Sequence, residues 1–207
     1  MSPRKIALIL CLAAPGVFGA KEPITHEAMW LMKRLGAPAV SPDGKWVVFQ
    51  VTEPAYDEKD QVSDLWIVPA DGSARARRLT FTKSAESGTA WSPDGRRIAF
   101  SAKREGDEVS QVYVLDVAGG GEAIRITPLS TGATSPRWSP DGKLMLFTSN
   151  VYPNAADDEA NKKAAAERRA RKYTARVYDR FPIRYWDNWL EDLKPHIFVQ
   201  AAEPGAK

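Results

Sequence analysis

The tetrapeptide Ser-Pro-Asp-Gly stands three times in this chain, at 41–44, 92–95 and 139–142, and each copy runs into a hydrophobic stretch: AVSPDGKWVVF, WSPDGRRIAF and WSPDGKLMLF. A recurrence of roughly 50 residues is the period of blade and array architectures. The four letters describe a turn. Proline presets φ for the second turn position, aspartate bonds the local backbone, and glycine takes positive φ without steric cost. Asp43, Asp94 and Asp141 are therefore read as turn-stabilising and not as catalytic acids.

The text around each turn is periodic as well. The first unit reads APAV, SPDG, KWVVFQV, a polar loop, DLWIV, the turn PADGSA and RRLTF; the second reads GTAW, SPDG, RRIAFSA, KREGDEVS, QVYVLDV, AGGGEA and IRIT. Each unit holds four short β-rich segments separated by turn residues, which is the plan of a propeller blade. Nearly continuous apolar strands suit blades covered on both faces by their neighbours. A repeating two-sheet sandwich is the rival geometry. The expected architecture is all-β: four-stranded propeller blades at about 37–82, 88–128 and 133–207. Seven tryptophans and fifteen prolines fit a strand-and-turn protein, and a formal net charge of +3 over 207 residues gives no surface for nucleic acid.

Two segments precede the repeats. Residues 1–20 read as a secretory signal: Arg4 and Lys5 start it, Ile6 to Ala14 supply the apolar run, and Gly19 or Ala20 offers a cleavage site. Cleavage removes Cys11, the only cysteine, and leaves a periplasmic or secreted protein without a membrane segment. Residues 21–36 then predict a helix capped by Thr25, with Lys33 and Arg34 in its last turn and Gly36 and Pro38 ending it. Met29, Met32 and Leu35 would share the face that docks on the body.

The third unit departs from the pattern. Its third strand, PHIFVQ at 195–200, is delayed by an insertion over 151–193. The first half, NAADDEANKKAAAERRARKY, places acids before bases and predicts an exposed helix. The second half gathers Tyr178, Phe181, Tyr185, Trp186 and Trp189 with Arg176, Arg180 and Arg184. Arginine among aromatics can hold a carboxylate through two parallel bonds while the rings cover a neighbouring side chain. Arg184 is the first candidate for that role and Arg180 the second, with Tyr185 and Trp186 beside them. The alternatives are that the rings cover a small core of the insertion, and that Arg184 pairs with Asp187 or Asp179. After HIFVQ, AAEPGAK aligns with the turns that precede each fourth strand, so the sequence is expected to stop inside its third blade, the N-terminal part of something longer.

No catalytic or cofactor pattern accompanies the repeats. There is no G-x-S-x-G elbow, no cysteine pair and no H-E-x-x-H, and His26 and His196 fall in a helix and a strand. No metal and no cofactor is expected.

The repeats resemble those shared by TolB-type proteins and the prolyl oligopeptidase family of serine peptidases. ITHEAMWLMKRLGAPAVSPDG resembles the start of the secreted bacterial acylaminoacyl-peptidase and dipeptidyl-peptidase V-like members of that family, and RVYDRFPIRYWDNWLEDLKPHIFV resembles their third-blade excursion. The resemblance covers 22–207. It implies a propeller followed by an α/β-hydrolase domain whose Ser-Asp-His triad cleaves short peptides, the propeller gating access. That domain, the partner implied for this chain, lies outside the sequence, and no triad residue carries over. A TolB-like periplasmic propeller that binds proteins and catalyses nothing is the other reading.

Overall fold

The structure, a computed structural model, describes residues 23–173, 175–178, 181–190 and 192–206. Each Ser-Pro-Asp-Gly turn closes the same way. The serine hydroxyl donates to the aspartate (Ser41–Asp43 2.6 Å, Ser92–Asp94 2.5 Å, Ser139–Asp141 2.5 Å) and accepts from the amide five residues on, at Trp46, Arg97 and Leu144. The same carboxylate accepts the amides of Lys45, Arg96 and Lys143. The glycine amide closes the turn on the serine carbonyl at 2.9 Å, with Gly44, Gly95 and Gly142 at φ of 71°, 69° and 72°. These hydrogen bonds to the serine hydroxyl and the backbone hold Asp43, Asp94 and Asp141 below the usual carboxylate range.

The turns join strands into three successive antiparallel sheets. The first contains β1 (Arg34–Leu35), β2 (Ala39–Val40), β3 (Trp46–Glu53), β4 (Val62–Pro69) and β5 (Arg77–Arg78), with β1 and β2 both on one edge of β3. The second runs β6 (Glu86–Trp91), β7 (Arg97–Ala102), β8 (Gln111–Asp116), β9 (Ile124–Arg125) in order. The third is β10 (Thr134–Trp138), β11 (Leu144–Val151) and, after the insertion, β14 (Lys194–Ala201). The innermost strands β2, β6 and β10 lie side by side, the arrangement of propeller blades around a hub.

Strand alternation divides the second sheet between its neighbours. Ile98, Phe100, Ala102, Tyr113 and Leu115 pack on Val48, Leu65 and Ile67 of the first sheet. Ala99, Val112 and Val114 turn the other way, onto Met145 and Phe147 of the third. Polar bonds repeat across the same boundaries. The Trp91 indole donates to the Ala39 carbonyl (2.9 Å) and the Trp138 indole to that of Ala90 (3.2 Å). Thr80 and Thr127, both buried, accept the amides of Leu65 and Val112 at 2.9 Å. Between blades one and two Glu86, fully buried, accepts from Thr80 and from Arg104 (2.9 Å), whose guanidinium lies over Phe100 and Tyr113. Burial raises the Glu86 pKa, and the Thr80 and Arg104 contacts only partly offset it.

The leading helix is shorter than the 21–36 expected from its punctuation. α1 spans His26–Trp30, with the Thr25 hydroxyl accepting the Ala28 amide. Arg34 does not close a helix; it pairs with Thr52 as part of β1, and the Gly36 amide donates to the Gln50 carbonyl (2.9 Å). The open edge of β3 offers this segment a full set of backbone partners, and strand pairing overrides local helix propensity. The expected docking face does not form: Met32 and Leu35 are 59% and 71% exposed. The 1–20 segment lies outside the described residues, among which no helix is long and apolar enough to cross a membrane.

Candidate functional site

Strand direction sets where the insertion emerges. The β3–β4, β7–β8 and β11–β14 connections share one rim of the blades, and the Ser-Pro-Asp-Gly turns occupy the opposite rim. The insertion is thus an enlarged β11–β14 connection, and α2 (Asp158–Arg169) is its first element. Its acids-first, bases-last sequence matches the helix dipole, and the Asp157 side chain caps it by accepting the Ala160 amide (2.8 Å). Two contacts fix this helix on the propeller. Asp158 accepts the amide (2.8 Å) and hydroxyl (2.6 Å) of Ser130, in the loop that crosses from blade two to blade three. Asn161, buried, accepts the Tyr152 amide (2.9 Å) just beyond β11. Burial would raise the Asp158 pKa, but the Ser130 bonds and the Lys162 ammonium together outweigh it and the group is held below its ordinary value.

Beyond α2 the chain forms a two-stranded hairpin, β12 (Arg184–Tyr185) and β13 (Asn188–Trp189), with Trp186 and Asp187 at its tip. The register places Arg184 opposite Trp189 and Tyr185 opposite Asn188. Arg184 therefore shares a face with Trp189, while its sequence neighbour Tyr185 turns to the other side. Tyr178 anchors the hairpin: its ring stacks on Trp189 with centroids 6.2 Å apart, and its hydroxyl donates to the Leu190 carbonyl (3.1 Å). Two of the aromatic rings thus pack on each other, with Trp189 still 46% exposed. Phe181 and Trp186 do not; they are 92% and 87% exposed. Trp186 has a φ of 57°, a conformation costly for a bulky side chain.

The structure brings three of the four proposed residues, Arg184, Tyr185 and Trp186, onto this hairpin; Arg180 lies outside the described residues. Among the described residues no ion pair joins Arg184 to Asp187, and Asp179 also lies outside the described residues. What the sequence reading missed is the root of the insertion. There Arg168, Arg171 and Arg176 line a cavity of about 200 Å3 with Tyr173, Tyr178 and Asp192, and Arg168 is ion-paired to Asp192. The available signal was the clustering of bases at the end of α2, directly before the aromatic segment. Among the described residues no three His, Cys, Asp or Glu side chains are grouped to hold a metal ion.

Comparison with known proteins places this geometry. The family model described as the TolB beta propeller domain matches residues 28–179. Two curated proteins are similar over most of the chain. Dipeptidyl-peptidase 5 of Porphyromonas gingivalis is 34% identical over 184 residues, 89% of this chain and 25% of that protein. Dipeptidyl-peptidase 5 of Porphyromonas endodontalis is 32% identical over 177 residues, 85% of this chain and 24% of that protein. The chain spans about a quarter of the length of these relatives. Among solved structures, the acylaminoacyl peptidase of Pyrococcus horikoshii superposes with a TM-score of 0.58 at 17% identity, over 86% of this chain and 24% of that one. At that identity the likeness is one of fold.

Proposed function

Because this chain belongs to the TolB β-propeller domain family, we propose that it is the substrate-gating propeller portion of an exported serine peptidase that hydrolyses short peptides, of acylaminoacyl- or dipeptidyl-peptidase type. One observation carries the reading. The 34% identity to dipeptidyl-peptidase 5 extends over 89% of the chain, and so necessarily through most of the 151–193 insertion, which the blade repeat itself does not require. In this reading the partner is an α/β-hydrolase domain of the same polypeptide. The propeller excludes large folded substrates, and Arg184, with Arg180 second, receives a peptide carboxylate beside Tyr185 and Trp186. The 1–20 segment directs export to the periplasm or the medium, with the mature protein starting near Ala20 or Lys21; an exported form retaining Met1 in mass spectrometry overturns that part.

The reading frame beyond Lys207 is the first test. A G-x-S-x-G motif followed by an aspartate and a histidine is expected. Further SPDG units ending in a stop codon would instead give a TolB-like protein-binding scaffold without catalysis, the second reading, which shares the same propeller family. In the complete polypeptide, Arg184→Ala should raise KM for short peptides by roughly ten- to a hundred-fold, the effect of losing one charge-assisted contact, with an unchanged melting temperature. An unchanged KM with a lowered melting temperature would make Arg184 a structural residue.

A further inference from the structure

The cavity at the root of the insertion is separate from the hairpin strand that carries Arg184, and its charge is unequally committed. Arg168 is held by Asp192, and Arg176 has an interaction of its own within the fold. Arg171, just past the end of α2, faces the cavity with no hydrogen-bond or ion-pair partner for its guanidinium among the described residues. One cation without a partner among the described residues, flanked by two others that have interactions of their own, suits a monoanion better than a dianion. The walls suit a peptide end: the Tyr178 ring and the exposed Tyr173 supply an apolar face and a phenol, and about 200 Å3 admits a terminal residue but not a folded surface.

We propose that this cavity is a subsite for the carboxylate of a short peptide, with Arg171 as the bidentate donor and the Arg168–Asp192 pair fixing the wall beside it. The assignment rests on the peptidase reading above and deepens it. It adds a second carboxylate-recognition position, lined wholly by residues of the insertion. That position follows α2, whose Asp158 and Asn161 are hydrogen-bonded to Ser130 and Tyr152. Arg171 is a binding residue here, with no part in bond breaking.

The test uses the complete polypeptide and reads hydrogen exchange of segments 168–178 and 189–192, within seconds of mixing so that turnover does not intrude. Three probes are compared: an N-acetylated alanine tripeptide with a free carboxylate, its C-terminal amide, and inorganic phosphate. Protection by the carboxylate at a concentration at least tenfold below that needed for the amide or for phosphate is expected. Arg171→Gln should abolish this discrimination at an unchanged melting temperature, and Arg171→Lys should restore part of it. Equal protection by carboxylate and amide, equal protection by phosphate, or intact discrimination in Arg171→Gln overturns the proposal. Protection without peptide hydrolysis upholds this site and overturns the peptidase reading; hydrolysis without local protection does the reverse.

Discussion

Blade two and the third-blade insertion are both rich in aromatic and basic residues, yet they use them in opposite ways. In blade two, Phe100 is fully buried, its ring stacked 6.2 Å from Tyr113 and covered by Arg104, because each face of the sheet has a neighbouring blade to meet. In the insertion, Phe181 and Trp186 stand almost wholly in solvent, and α2 buries only Asn161. Residue type therefore does not decide burial here. In blade two the repeat decides it, by setting a neighbouring sheet against each face, and a segment outside the repeat must find its partners within itself or in another molecule.

The sharpest way to break this contrast is to remove one ring from each region. Phe100→Ala should cost about 3–5 kcal/mol in urea unfolding, the range for a large side chain deleted from a closed core, while Trp186→Ala should stay within about 0.5 kcal/mol of the parent. Equal losses would mean that the insertion is as tightly packed as the blades. Next in size is Arg104→Met, expected to cost about 3 kcal/mol near neutral pH by leaving the Glu86 carboxylate buried without its cation. Burial already raises the Glu86 pKa above 4.5, and Arg104 is one of the contacts that lower it. Without that cation the folded state favours the protonated acid more strongly still. The deficit should therefore open as pH rises through the raised folded-state value of Glu86, which lies above 4.5, and its ionisation-dependent part should be absent below that value. A pH-independent deficit contradicts this.

A smaller effect separates the turns. Ser92→Ala should cost about 2 kcal/mol, since its hydroxyl serves both Asp94 and the Arg97 amide in a fully buried position. Ser139→Ala, at the more open third turn, should cost less. The carboxylates of all three turns are held below 3.8, so the stability they contribute is present above that pH and is lost as pH falls through their lowered values. In Ser92→Ala the share belonging to Asp94 should be reduced on the acid limb of the stability curve, the Arg96 amide bond remaining. The smallest change has the opposite sign: Trp186→Gly should raise stability by about 1 kcal/mol by relieving the positive φ at the hairpin tip. A loss of stability on that substitution would show that the exposed indole is held by packing.

These contrasts also explain what could be read in advance. Blade strands, turns and the delayed PHIFVQ strand were legible because turn chemistry and period-two alternation are local, and three copies repeat the message. α2 was legible from its charge order and capping residues. The extent of α1 was not, because the edge of β3 that recruits Arg34 and Gly36 lies some fifteen residues further on, and no local propensity registers it. The root cavity escaped for the same reason. Arg171 and Asp192 are twenty-one residues apart, and only the return of the chain over the end of α2 brings them to one wall. Arg184, Tyr185 and Trp186 are consecutive in the sequence, but the flank of Arg184 is Trp189, a pairing that only the hairpin register reveals.

The indole bonds between blades have a direction. Trp91 reaches back to Ala39, and Trp138 reaches back to Ala90, while Val40, at the corresponding place in the first repeat, has no donor to offer. The Gly95 turn likewise lies against Pro42 (3.7 Å from an ideal Cβ), and the Gly142 turn against Pro93 (3.6 Å). In both ladders the later repeat docks on a surface that the earlier one already presents. A chain leaving the ribosome can therefore add blades in the order of their synthesis. Each new one is oriented by a hydrogen-bond acceptor already in place, and in turn covers the apolar face of the blade before it.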